Sequence, residues 1–270
     1  MKRSWLIRCL LLPALIMALS GLIGPLSANE LTVSPPRIEL TVEPGRTIED
    51  NIMVTGRFAQ PTRIRIRAAD YSLRENGDFR LEAPGAQPRS LAKWLSVSPA
   101  EFVLAGNRAQ RVNYRLKFPA EIAGGYWGAV LVESLPPAPD LQDAKVGVTV
   151  AARVAVILYA KTARGGVLDG RVTDVSAQWR PEGRLDLAAT FVNDGNLMAR
   201  IKGRFEIRSA ADNKTLAKIP FEDLPVLPGG TRRLTAQRPG RLDPGNYLVL
   251  VMVDFGGRHI VAGQRLVKVI

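Results

Sequence analysis

Along most of the chain, apolar and polar residues alternate with period two. The clearest run is VGVTVAARVAVILYA, from Val146 to Ala160. Val146, Val148, Val150, Ala152, Val154, Val156 and Leu158 share one parity, and Gly147, Thr149, Ala151, Arg153, Ala155, Ile157 and Tyr159 share the other. Such alternation places the two sets on opposite faces of a β-strand. The run is longer than a small sheet needs. Shorter runs of the same kind are LTVSPPRIELTV (31–42), TIEDNIMVTG (47–56), TRIRIRAADY (62–71), EFVLAG (101–106), RVNYRLKF (111–118) and YWGAVLVES (126–134). Gly, Pro, Asn and Asp punctuate them, and no amphipathic helix of convincing length appears. The pattern predicts an all-β chain of sandwich type.

The pattern then repeats. PTRIRIRAA (61–69) sets Arg63, Arg65 and Arg67 on one face, as MARIKGRFEI (198–207) does for Arg200, Lys202 and Arg204. Phe102–Gly106 followed by Gln110-Arg-Val112 has a counterpart in Val226–Gly230 followed by Arg232-Arg-Leu234. GGYWGAVLVE (124–133) parallels GNYLVLVMVD (245–254). Two tandem β-sandwich domains, residues 29–162 and 168–270, account for this, with the polar, glycine-rich KTARGGVLDG (161–170) joining them. PGAQPRSLA (84–92) and SLPPAPDLQDAK (134–145) read as long loops, the second an exposed hairpin tip before the valine run.

Composition narrows the setting. Lys2, Arg3 and Arg8 precede an apolar stretch from Cys9 to Ile23 and small residues up to Ala28, so residues 1–28 read as a secretory signal peptide and the mature protein as exported. Cys9 is the only cysteine, so the mature chain relies on burial rather than disulfides. The leader carries three basic and no acidic residues, so its removal lowers the formal charge from +12 to +9. For an exported chain this favours anionic envelope polymers or lipid head groups over nucleic acid.

His259 is the only histidine, no Ser lies in a G-x-S-x-G turn, and no glycine-rich loop matches a phosphate cradle. The reading is a non-enzyme with no metal and no cofactor. The Arg63, Arg65 and Arg67 stripe is open to two readings: the solvated face of a half-buried strand, or a track for an anionic polymer, with its charges about 7 Å apart.

Four pieces, LTVSPPRIEL, VSPAEFVLAGNRAQRV (97–112), YWGAVLVESLPP (126–137) and the valine run, together resemble the periplasmic chaperones of the chaperone–usher pilus pathway, which implies an all-β fold of two tandem immunoglobulin-like β-sandwich domains and a periplasmic location. Ala105 stands where that family usually has proline. The resemblance implies that Val146, Val148 and Val150 are lent to an incomplete pilin-like subunit by β-strand addition, in partnership with an outer-membrane usher. It implies that Arg37 holds a subunit carboxylate. The family's second anchor, a lysine, maps to Ala155, which leaves Arg153, two residues earlier on the same face, as the substitute. The SPPRIEL opening and GGYWGAVLVE also resemble two-domain cell-surface proteins that interact with WxL-type wall proteins. That resemblance implies instead a scaffold bound to peptidoglycan or another envelope polymer.

Overall fold

The computed structural model describes residues 30–135, 151–180 and 183–269. The leader and Val146, Val148 and Val150 lie outside the described residues. The architecture is two all-β sandwiches in tandem.

The first sandwich holds β1 (Glu30–Ser34), β2 (Arg37–Val42), β3 (Thr47–Leu73), β4 (Phe79–Glu82), β5 (Leu95–Ser98), β6 (Glu101–Lys117), β7 (Gly125–Leu135) and β8 (Arg153–Thr162). TIEDNIMVTG and TRIRIRAADY, separate in the sequence reading, are one continuous strand. So are EFVLAG and RVNYRLKF. These two long strands run antiparallel and fold over together. Phe58 faces Gly106, and the next pair is Thr62 with Leu104, so Ala59, Gln60 and Pro61 oppose Ala105 alone. This bulge bends the ribbon, and Gly106 supplies a backbone φ of +62° that a side chain would resist.

One half of β3 therefore pairs with β1, and its other half pairs with β7. The two layers close over Ile52, Val54, Ile64, Ile66, Leu104, Val112, Leu116, Val130, Val132, Val156 and Leu158, all at most 3% exposed. Each such side chain contributes about 1.5–3 kcal/mol by leaving water.

The valine run behaves differently from the sequence reading over its described part. Its strand begins at Arg153, and Ala151 and Ala152 are not in the sheet. Val156, Leu158 and Ala160 enter the core, as the alternation requires.

The second sandwich holds β9 (Gly170–Arg180), β10 (Arg184–Asn193), β11 (Ala199–Ser209), β12 (Thr215–Val226), β13 (Thr231–Pro239), β14 (Gly245–Asp254) and β15 (Val261–Val269). Its sheets run β13-β10-β9 and β12-β11-β14-β15. The repeat seen in the sequence has a structural counterpart here. β10 and β11 do the work of the two halves of β3, and β13 and β12 the work of the two halves of β6. Where the first sandwich bends its strands, the second breaks them, at 194–198 and at the Pro228-Gly-Gly230 turn. Asn193 holds the first break: its side-chain nitrogen donates to the carbonyls of Leu197 and Val226, and its oxygen accepts from Gly195 N.

The connector between the sandwiches is tied down at several points. Val167 N donates to Asn196 Oδ1, Asn196 Nδ2 to the Gly165 carbonyl, and Gly125 N to the Asn196 carbonyl. Two further contacts join the sandwiches. The Tyr159 hydroxyl accepts from Met198 N at 2.8 Å, beside a small core of Tyr71, Trp127, Tyr159 and Leu227. On the β3–β4 turn, the Glu75 carbonyl accepts from Arg233 N at 2.7 Å, and the Arg232 guanidinium packs against Gly77.

Candidate functional site

The site grows from one mismatch of strand lengths. β2 runs parallel to β8, but it starts late: Arg37 faces Ile157, and Ile157 N donates to the Pro36 carbonyl. On its other side β8 is paired with β7 from Arg153 onward. Main-chain groups point alternately to the two sides of a strand. Since Ile157 N–H points toward β2, those of Ala155 and Arg153 point the same way, beyond the end of β2. Among the described residues no strand pairs with that stretch. An open edge next to an apolar face is a template for a further strand.

The face flanking this edge is one continuous surface. Register places Arg37 and Glu39 on β2 beside Ile157 and Tyr159, with Ala155 and Arg153 further along β8. Leu131 and Glu133 on β7, Arg63, Arg65 and Arg67 on β3, and Glu101 on β6 continue it. The residues expected to anchor a peptide and those expected to track a polymer thus share a face. Arg37 and Arg153 are four residues apart in register, about 13 Å along the strand, with Ala155 and Ile157 between them.

The arginines of this face are paired with carboxylates. Arg63 and Arg65 both donate to Glu101, from Nε at 2.9 Å in each case. Arg67 and Arg153 both hold Glu133, at 2.9 and 2.7 Å. Glu133 is nearly buried, and its hydrogen bonds with Arg67, opposed by burial and helped by the charges of Arg67 and Arg153, hold its carboxyl below the usual carboxylate range. At the other end Arg37 lies 3.7 Å from Glu39, which also accepts from Arg200 Nη2 at 2.5 Å. Arg200 belongs to the second sandwich and is further held by Asp223 at 2.6 Å. Here a cleft of ≈ 100 Å³ is lined by Arg37, Tyr71, Phe79, Ile157, Tyr159 and Arg200, among others. Burial pushes the hydroxyls of Tyr71 and Tyr159 up, so both stay neutral donors.

The structure brings Arg37, Arg63, Arg65, Arg67 and Arg153 onto one face together with Glu39, Glu101 and Glu133, which the sequence reading did not single out, and with Arg200, which it named only as part of the repeat. Arg37 and Glu39 share a parity, and that signal was legible in RIEL. Glu101 and Glu133 come from other strands and could be matched to the arginines only through the register. Among the described residues no three His, Asp or Glu side chains gather where they could hold a metal ion.

No protein-family model matches the chain, and no curated protein matches it. Similar folds occur among solved structures. One is a chaperone–tip adhesin complex of CFA/I fimbriae, with 11% identity over 89% of this chain and 100% of the other, at a TM-score of 0.49. The class 5 fimbriae chaperone CfaA gives 11% identity, 89% and 100% coverage, and 0.47. The Salmonella enterica SafB chaperone bound to SafA pilin gives 13%, 87% and 96%, and 0.44.

Proposed function

We propose that this protein is a non-enzymatic assembly factor of the periplasm that captures an extended segment of a secreted, pilin-like subunit by β-strand addition. The segment lies along the open side of β8, and the outer-membrane usher receives the loaded subunit. Residues 29–162 form the capturing module and residues 168–270 the second module. The observation that carries this reading is the late start of β2, which leaves the main-chain groups of Arg153 and Ala155 on the side away from β7 without a described strand. The two residues offer up to four main-chain hydrogen bonds at about 0.5–1.5 kcal/mol each. Val146, Val148 and Val150, which precede this stretch in the sequence, are the side chains assigned to be lent. Arg37 and Arg153 flank it with positive charge.

Ala155→Pro tests the edge. Proline fits an edge strand whose N–H faces outward, so the fold is kept while one donor is lost and its ring blocks the approaching strand. Subunit co-purifying with the exported protein should fall about tenfold, and Val148→Asp should do the same. Retention at the wild-type level in both variants would refute strand addition.

A second reading has its own support: on this face the arginines outnumber the carboxylates, which suits an anionic envelope polymer held by Arg63, Arg65 and Arg67. Sedimentation with lipopolysaccharide or peptidoglycan that weakens as salt rises would favour it. Strand capture predicts that Arg63→Glu with Arg65→Glu leaves any such sedimentation unchanged.

A further inference from the structure

The second sandwich presents a face that strand capture does not use. In the sheet β12-β11-β14-β15, Tyr247, Val249, Val251 and Val253 point into the core, so Leu248, Leu250 and Met252 point outward. Leu266 lies directly across from Leu248 and Ala262 across from Met252, which joins the neighbouring strand to the strip. Leu266 is 62% exposed, and Leu216 on the far edge of the sheet is 39% exposed. Outward leucines on a flat sheet face are costly in water, and together they form a patch rather than scattered apolar residues.

Cations surround this strip. On β11 the outward row is Arg204, Glu206 and Arg208. Glu206 is 1% exposed and accepts from Arg204 Nε at 2.7 Å and from Arg208 Nη2 at 2.6 Å. One carboxylate thus fixes two guanidinium groups beside the leucines, and Arg204 Nη2 reaches Met252 Sδ at 3.7 Å. Lys218 lies opposite Glu206 on β12, and Lys268 follows Leu266 on β15; both are exposed. Four cations and a single carboxylate surround the apolar strip. Toward the domain junction the charges balance, with Lys202 facing Asp254.

We propose that this face binds the surface of an anionic lipid bilayer. The strip is built from alternate outward residues of neighbouring strands. It combines apolar residues at the centre with a basic border, the arrangement that seats a protein at the boundary of head groups and acyl chains. Guanidinium groups pinned by Glu206 meet phosphates without losing side-chain freedom. Arg204 and Arg208 stand four and eight residues along β11 from Arg200, the member of this row that meets Glu39 beside the β8 face.

Vesicle co-sedimentation of the purified exported protein tests this. Vesicles of phosphatidylglycerol mixed with phosphatidylcholine should bind it roughly a hundredfold better than phosphatidylcholine alone, from an excess of three positive charges. Binding should weaken as salt rises. Leu266→Asp, at a site too exposed to affect folding, should reduce binding at least about tenfold, and so should the pair Lys218→Glu with Lys268→Glu. Val167→Asp, equally exposed but off this face, should leave binding unchanged. Absence of binding, equal binding to neutral vesicles, or indifference to Leu266→Asp would overturn the proposal. Binding to soluble polyglutamate that Leu266→Asp weakens, without vesicle binding, would assign the face to an acidic polypeptide and also overturn it.

Discussion

Replacing Glu133 with Gln isolates the ion cluster at the upper end of the capture face. In the native protein Arg67 Nε donates to one carboxylate oxygen at 2.9 Å and Arg153 Nε to the other at 2.7 Å. The Glu133 side chain is 11% exposed, whereas the two arginine side chains are 46% and 59% exposed. Gln keeps the volume, but it offers one acceptor and sets an NH₂ against a guanidinium. Hydrogen bonds to charged groups are worth about 1.5–3 kcal/mol each. Solvent reaches both arginines, which cuts the expected cost to about 1–2 kcal/mol in total.

Urea titration followed by tryptophan fluorescence reads that cost at neutral pH, since Trp94 and Trp127 lie in the same sandwich. The pH dependence is specific. The folded-state pKa of Glu133 is depressed below the ordinary value of 4.5, so the unfolded chain takes up the proton first as pH falls. The stabilisation is complete above that ordinary value and is lost as pH drops through the folded one. The gap between wild type and Glu133→Gln should therefore be full at neutral pH and close on acidification. A gap that stays constant into strong acid, or none at neutral pH, would refute the electrostatic account.

Asn193→Ala should destabilise the second sandwich by about 2–4 kcal/mol, because it strips the half-buried carbonyl of Leu197 and the buried carbonyl of Val226 of their donor. Urea denaturation followed by Trp179 measures this, and a loss below about 1 kcal/mol would contradict the role given to that side chain. Gly77 has a φ of +89°, and a Cβ there would lie 1.7 Å from Arg232 Nη1. Gly77→Ala should loosen the contact of the β3–β4 turn with the second sandwich and speed amide exchange at Arg233, whose N–H is held by Glu75. Unchanged exchange there would mean that the turn does not hold the two sandwiches together.

The alternation of side chains fixed a great deal without any fold. It set which residues of β3, β6 and β8 face inward, because a strand has only two faces and apolar burial selects one. It also exposed the internal repeat, since GGYWGAVLVE and GNYLVLVMVD serve as equivalent central strands. What alternation could not supply was continuity and partnership. The bulge at Ala59–Pro61 joins two expected strands into one, and nothing local distinguishes a bend inside a ribbon from a loop between ribbons. The pairing of Arg63 and Arg65 with Glu101, and of Arg67 and Arg153 with Glu133, needs a register between distant segments. So does the open edge at Arg153–Ala155, which exists only because β2 begins opposite Ile157. Side-chain burial is a property of each residue and its parity and can be read along the chain. The placing of charges against one another, and of main-chain groups without a neighbour, belongs to pairs of segments brought together only in three dimensions.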